Sequence, residues 1–151
     1  MHARRLRQLV TVTIAVIVID LASKLAAVVA NGRRHGAIVP AHNPKLSLGI
    51  AGASAPIEVG LMLLGVMMVT PLLLLQLRRG RLPGWIAGLV IGGAAANLLD
   101  RAATGAVHDF LATPWVLLNV ADIAVFVGVI GTAFMTLRRE DSAQHRVMSR
   151  A

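Results

Sequence analysis

The chain has 151 residues, 56% of them hydrophobic, a formal net charge of +8 and no cysteine. Its length suits one domain over residues 1–151, and a mean hydropathy of +0.73 leaves too little polar surface to cover a water-soluble domain. The missing cysteines exclude a disulfide frame, a thiolate nucleophile and a cysteine-ligated metal, and with only 3% aromatic residues there is no basic face interleaved with stacking rings, so nucleic acid is excluded as a partner.

Four apolar runs are long enough to cross a bilayer, at residues 9–30, 57–77, 85–103 and 116–137. The first follows "RRLRQ" and ends near "VVANG", which fits the template of a cleaved signal peptide. Asp20 and Lys24 interrupt that template and the apolar pattern resumes after them, so the segment is expected to stay in the protein. Residues 31–56, rich in Gly, Pro and Asn, connect the first two spans and include "AIVPAH" and "KLSLGI", both expected as short strands. A short arginine-rich connection joins spans two and three, and residues 104–115 form an expected loop between spans three and four.

Arginine and lysine set the orientation. Arg4, Arg5 and Arg7 precede span one, Arg78, Arg79 and Arg81 lie between spans two and three, and Arg138, Arg139, Arg146 and Arg150 follow span four. The opposite side holds only Arg33, Arg34 and Lys45. This asymmetry places both termini in the cytoplasm and accounts for the positive charge, with a secondary attraction to anionic membrane lipids.

With that orientation the intramembrane polar residues converge. Asp20 and Lys24 sit in the outer half of span one, four apart, and are expected to form a structural polar pair. Asn97, Asp100 and Arg101 share a face at the outer end of span three, and Asn119 and Asp122 share one at the outer start of span four. Asp109 lies in the loop between them. A carboxylate in hydrocarbon costs several kcal/mol unless paired, hydrated or neutralised, so these acids either brace the fold or do chemistry. No histidine stands at metal-ligand spacing, so His35, His42 and His108 are expected to be ordinary loop residues and no metal is expected. Ser23 and Ser47 lack an evident base. Two readings stay open on the residues alone. A carboxylate dyad that shares a proton can activate water against an amide, and paired acids in a small bundle can carry protons or bind an ion.

Four stretches in order resemble the lipoprotein signal peptidase (signal peptidase II) family of membrane aspartic peptidases. "DLASK" at 20–24 is similar to that family's Asp-x-x-Ser-Lys stretch, and "GGAAANLLDR" at 92–101 to its Gly-Gly-Ala-x-Gly-Asn-x-x-Asp-Arg motif. "VHDF" at 107–110 and "LNVADIAV" at 118–125 resemble the segments that hold its two catalytic acids. The resemblance implies an all-α membrane protein of four transmembrane helices, with a small extracytoplasmic β-cradle between helices 1 and 2 at residues 31–56. It implies Asp109 and Asp122 as the catalytic pair, with Asn43, Asn97, Asp100, Arg101 and Asn119 supporting it or contacting substrate. The implied activity is cleavage of a prolipoprotein signal peptide just before a diacylglyceryl-modified cysteine, in a bacterial cell membrane, by a monomer without cofactor, blocked by globomycin. A non-catalytic paralogue that binds lipoproteins is a further alternative. The chain departs from the family at "NPKLSLG" (43–49), which lacks a glycine and a phenylalanine of the usual stretch, at Ala96 in place of glycine and at Leu118 in place of phenylalanine. These departures bear on substrate and inhibitor affinity more than on the acids.

Overall fold

A computed structural model describes residues 3–29, 38–43, 55–113 and 117–148. Four long helices carry the fold: α1 (Ala3–Val29), α2 (Ala55–Arg78), α3 (Gly84–Thr104) and α4 (Val120–Met148). Each contains a span apolar and long enough to cross a membrane. Their lipid-facing surfaces are large aliphatic and aromatic side chains, such as Ile14, Leu25, Met67, Met68, Leu72, Phe126 and Leu137. Exposed apolar residues on this scale are what a bilayer solvates and water does not.

Helix α3 is the centre of the bundle and packs against α1, α2 and α4. Its sequence explains why. Gly84, Gly88 and Gly92, spaced four apart, form a stripe laid directly on the α1 backbone, and a Cβ at Gly92 would stand 3.0 Å from the Thr13 carbonyl oxygen and from Val16 Cβ. Small residues at this spacing let helices approach closely where no hydrophobic effect drives them together. Gly93, on the next face, meets Ala121 and Val125 of α4 in the same way. The contacts make α1 parallel to α3, and α2 and α4 antiparallel to it. Near the arginine-rich end, Leu73, Leu82, Ile86, Ala87 and Val90 form a buried core, and Arg139 donates to the Gly80 carbonyl at 3.0 Å.

At the other end, α3 stops at Gly105, whose left-handed φ of 75° lets its N–H reach the Arg101 carbonyl at 2.9 Å. The chain then enters a three-stranded antiparallel sheet of order β1-β2-β3, with β1 at Ile38–Asn43, β2 at Val107–Ala112 and β3 at Leu117–Leu118. β1 overlaps the expected "AIVPAH" strand and runs one residue past it, to Asn43; its register shifts between Ile38 and Ala41, around Pro40, which has no N–H to give a ladder. "KLSLGI" lies outside the described residues. The structure differs from the loop expected at 104–115, because β2 is the central strand of the sheet. Adjacent polar residues at 108 and 109 hid it from an alternation test, since both faces of the strand are covered by polar partners here. The sheet therefore draws on the α3–α4 connection as well as on the segment between α1 and α2.

Candidate active site

The buried polar residues gather where the sheet meets the ends of α1, α3 and the start of α4. Asp20 is fully buried on α1; its Oδ2 lies 2.7 Å from Lys24 Nζ, as the four-residue spacing predicts. Its Oδ1 accepts the Ala121 N–H at 2.8 Å, so an acid of α1 caps a free amide in the first turn of α4. The expected structural pair is thus also a tie between two helices.

Lys24 has three protons and three acceptors: Asp20, Asp100 Oδ2 at 3.1 Å and Asn97 Oδ1 at 3.2 Å. Because the ammonium can only donate, the Asn97 amide oxygen must face it, which turns Asn97 Nδ2 toward α4. There it donates to Asp122 Oδ1 at 2.8 Å. Asp100 in turn accepts the His108 N–H at 2.8 Å through Oδ2, and its Oδ1 lies 2.8 Å from His108 Nδ1. The carboxylate can only accept, so Nδ1 carries the hydrogen. His108, expected to be an ordinary loop residue, anchors β2 to α3.

Asn119 and Asp122 form a reciprocal cap at the start of α4. Asn119 Oδ1 accepts the Asp122 N–H at 2.9 Å, and Asp122 Oδ2 accepts the Asn119 N–H at 3.1 Å. This is the capping-box geometry, with Asn and Asp in place of the commoner Ser and Glu. It explains why α4 begins at Val120 rather than at the start of the apolar run at 116. The free end of the Asn119 amide, Nδ2, donates to Asp109 Oδ1 at 2.7 Å. Asn119 is fully buried and Asp109 nearly so. One asparagine therefore holds both acids, whose charges are within interacting range. Neighbouring residues of β2 point to opposite faces, so His108 reaches α3 while Asp109 reaches Asn119.

Every predicted site residue with a described side chain joins this cluster. Asn97, Asp100, Asp109, Asn119 and Asp122 are linked through Asp20 and Lys24 by the contacts above, and Arg101 lies within electrostatic range of Asp109. Asn43 ends β1 in register with Val107, beside the Asp109 strand. The sequence reading missed Glu58, a buried acid in the first turn of α2 that forms an ion pair with Arg101. An acid inside an apolar span is itself a signal, and applying that test to "APIEVG" finds it.

Beside the cluster lies an elongated cavity of about 900 Å³ between α2, α3 and α4. Its walls are almost wholly apolar, including Met62, Val66, Ile91, Val125 and Phe126, and its polar lining is Asn97 and Asp122 with Thr70. An apolar segment lying in such a groove would pass beside Asn97 and Asp122.

Residues 12–138 match the family model described as signal peptidase (SPase) II. A lipoprotein signal peptidase of Nitrobacter hamburgensis is 30% identical over 159 residues, which cover 92% of this chain and 97% of that protein. One from Methylorubrum extorquens is 50% identical over 56 residues, and this chain spans only 33% of that relative's length in the match. The fold is similar to two solved structures described as bacterial membrane enzymes obtained by the in meso method. The 2.3 Å structure has a TM-score of 0.69 at 19% identity, covering 89% of this chain and 90% of the other. The 1.9 Å structure has a TM-score of 0.68 at 20% identity, covering 91% and 97%. At that identity the likeness concerns the fold.

Proposed function

Because the chain belongs to the signal peptidase II family, we propose that it is an intramembrane aspartic endopeptidase, cutting signal peptides from diacylglyceryl-modified prolipoproteins before the lipidated cysteine. The observation that carries this reading is the Asn119 bridge between Asp109 and Asp122, set at the end of the apolar groove. A signal peptide's apolar segment lies in that groove, and the peptide bond beyond it meets the acids.

The described polar cluster holds five carboxyl groups (Asp20, Glu58, Asp100, Asp109 and Asp122) against the cations Lys24 and Arg101. So much negative charge is costly at low dielectric, and the cluster keeps a proton. Asp20 and Asp100 share the single charge of Lys24, and Glu58 pairs with Arg101. The shared proton is assigned to the pair Asp109 and Asp122, which one asparagine joins. The ionised member takes a proton from water as the water oxygen attacks the scissile carbonyl carbon. The neutral member gives its proton to the carbonyl oxygen; the tetrahedral intermediate then collapses as the C–N bond breaks, the amine nitrogen taking the proton drawn from water and a gem-diol hydroxyl returning a proton to the other acid. The Asn97 and Asn119 amides hold the carboxyl groups in place for both steps.

The arginine asymmetry supports cytoplasmic termini and a site near the outer face of a bacterial cell membrane. One chain supplies both acids, so a monomer suffices. The test is incubation of purified protein with a diacylglyceryl-modified precursor, followed by intact mass. The expected product is lighter by the signal peptide. An uncut precursor, together with proton-driven ion flux in protein-loaded vesicles, would instead support a carrier.

A further inference from the structure

Helix α2 is held to the bundle in an uneven way. It packs chiefly on α3, and its buried described residues are Glu58 at one end and Leu73 and Leu77 at the other. Between these two anchors the α2 residues Met62, Gly65, Val66, Val69 and Thr70 line the groove instead of closing on α3. At the arginine-rich end the anchor is apolar, with Leu73 in the core around Ile86. At the end nearest the acids it is the Glu58–Arg101 ion pair, with both residues 2% exposed or less.

Resting on the peptidase reading, we infer that Glu58 is a further positioning residue. Its ion pair with Arg101 clasps the start of α2 to the end of α3, and so sets the width of the groove where substrate approaches the acids. A buried ion pair is poor at adding stability but costly to break from one side, because the remaining charge loses that counter-charge. The wall of the groove is therefore tied to α3 at this end by a contact that a single substitution can release. When the Glu58 charge is removed, Arg101 seeks water or another acid, the start of α2 moves away from α3, and the groove grips an apolar segment less well. Asp109, Asn119 and Asp122 are held by α4 and β2, so binding suffers more than the chemical step.

The experiment uses the full chain, which has no native cysteine, with spin labels at Leu61→Cys and Leu99→Cys. Both positions are about half exposed, one on α2 a turn beyond Glu58 and one on α3 beside Asp100. Glu58→Gln is expected to shift and broaden the label distance distribution, and to raise KM for a lipidated precursor about tenfold, by a larger factor than it lowers kcat. Glu58→Asp keeps the charge on a shorter arm and is expected to give an intermediate KM and a narrower distribution than Glu58→Gln. An unchanged distance distribution in Glu58→Gln overturns the clasp, as does a loss confined to kcat. A Glu58→Asp protein no tighter than Glu58→Gln also overturns it, and serves if the latter accumulates poorly. The distances are read on the resting protein, so they stand or fall apart from the peptidase assignment.

Discussion

Asn119 serves two ends at once, and substitutions can separate them. Its Oδ1 caps α4 through the Asp122 N–H, and its Nδ2 holds Asp109. Asn119→Ala removes both. Losing the cap leaves the Asp122 N–H without this acceptor and costs about 1 to 2 kcal/mol. Asn119→Ser keeps a good capping oxygen but cannot extend to Asp109, so its stability loss is about 0.5 kcal/mol, within the range of exchange between good caps. Both variants free Asp109 to move by an ångström or so, a displacement that costs about 100-fold in turnover where geometry governs the step. Stability is read from unfolding in mixed detergent and turnover from mass-resolved precursor cleavage. The expected pattern is two crippled enzymes, of which only Asn119→Ala is clearly destabilised. An Asn119→Ser enzyme with near-native kcat would refute the bridging role, and one as unstable as Asn119→Ala would refute the cap.

Three further outcomes follow from the packing and the charge pattern. Asp20→Ala should lose about 3 kcal/mol of stability, the low end for breaking a buried pair, because Lys24 keeps Asp100 while the Ala121 N–H is orphaned; Asp20→Asn, which retains an acceptor, should lose less, and normal accumulation of Asp20→Ala without turnover would contradict the structural role. Gly92→Leu should sharply reduce folded protein, since even a Cβ there sits 3.0 Å from α1, whereas Gly60→Leu, with nothing within 4 Å, should accumulate normally by size-exclusion profile. Single cysteines at Arg79 and Ala103 should be labelled by an impermeant maleimide from the cytoplasmic and the external side respectively, and external labelling at Arg79 would overturn the proposed orientation.

The four spans and the convergence of acids were legible in the sequence, because bilayer thickness fixes span length and helical spacing fixes which polar residues share a face. Asp20 with Lys24, and Asn119 with Asp122, are local pairs of this kind, and the latter also reads as a cap signature. What stayed hidden depends on long-range partners. β2 takes its central place because β1 arrives from a distant segment, and no local alternation marks it. His108 gains its purpose from Asp100 across a helix end, and Glu58 from Arg101 on a different helix. The "NPKLSLG" departure extends beyond Asn43 into residues outside those described.

The central claim is that Asp109 and Asp122 act as one unit sharing a proton. The most direct measurement is the cleavage rate of a diacylglyceryl-modified precursor by purified Asp109→Asn, Asp122→Asn and doubly substituted protein, with precursor binding measured alongside. Asparagine keeps the shape and a hydrogen-bonding group but ends proton exchange. Each single variant should lose nearly all cleavage while still binding precursor, the double variant should be little worse than either, and Asp100→Asn should retain more activity than all three. Robust cleavage by either single variant would contradict the dyad.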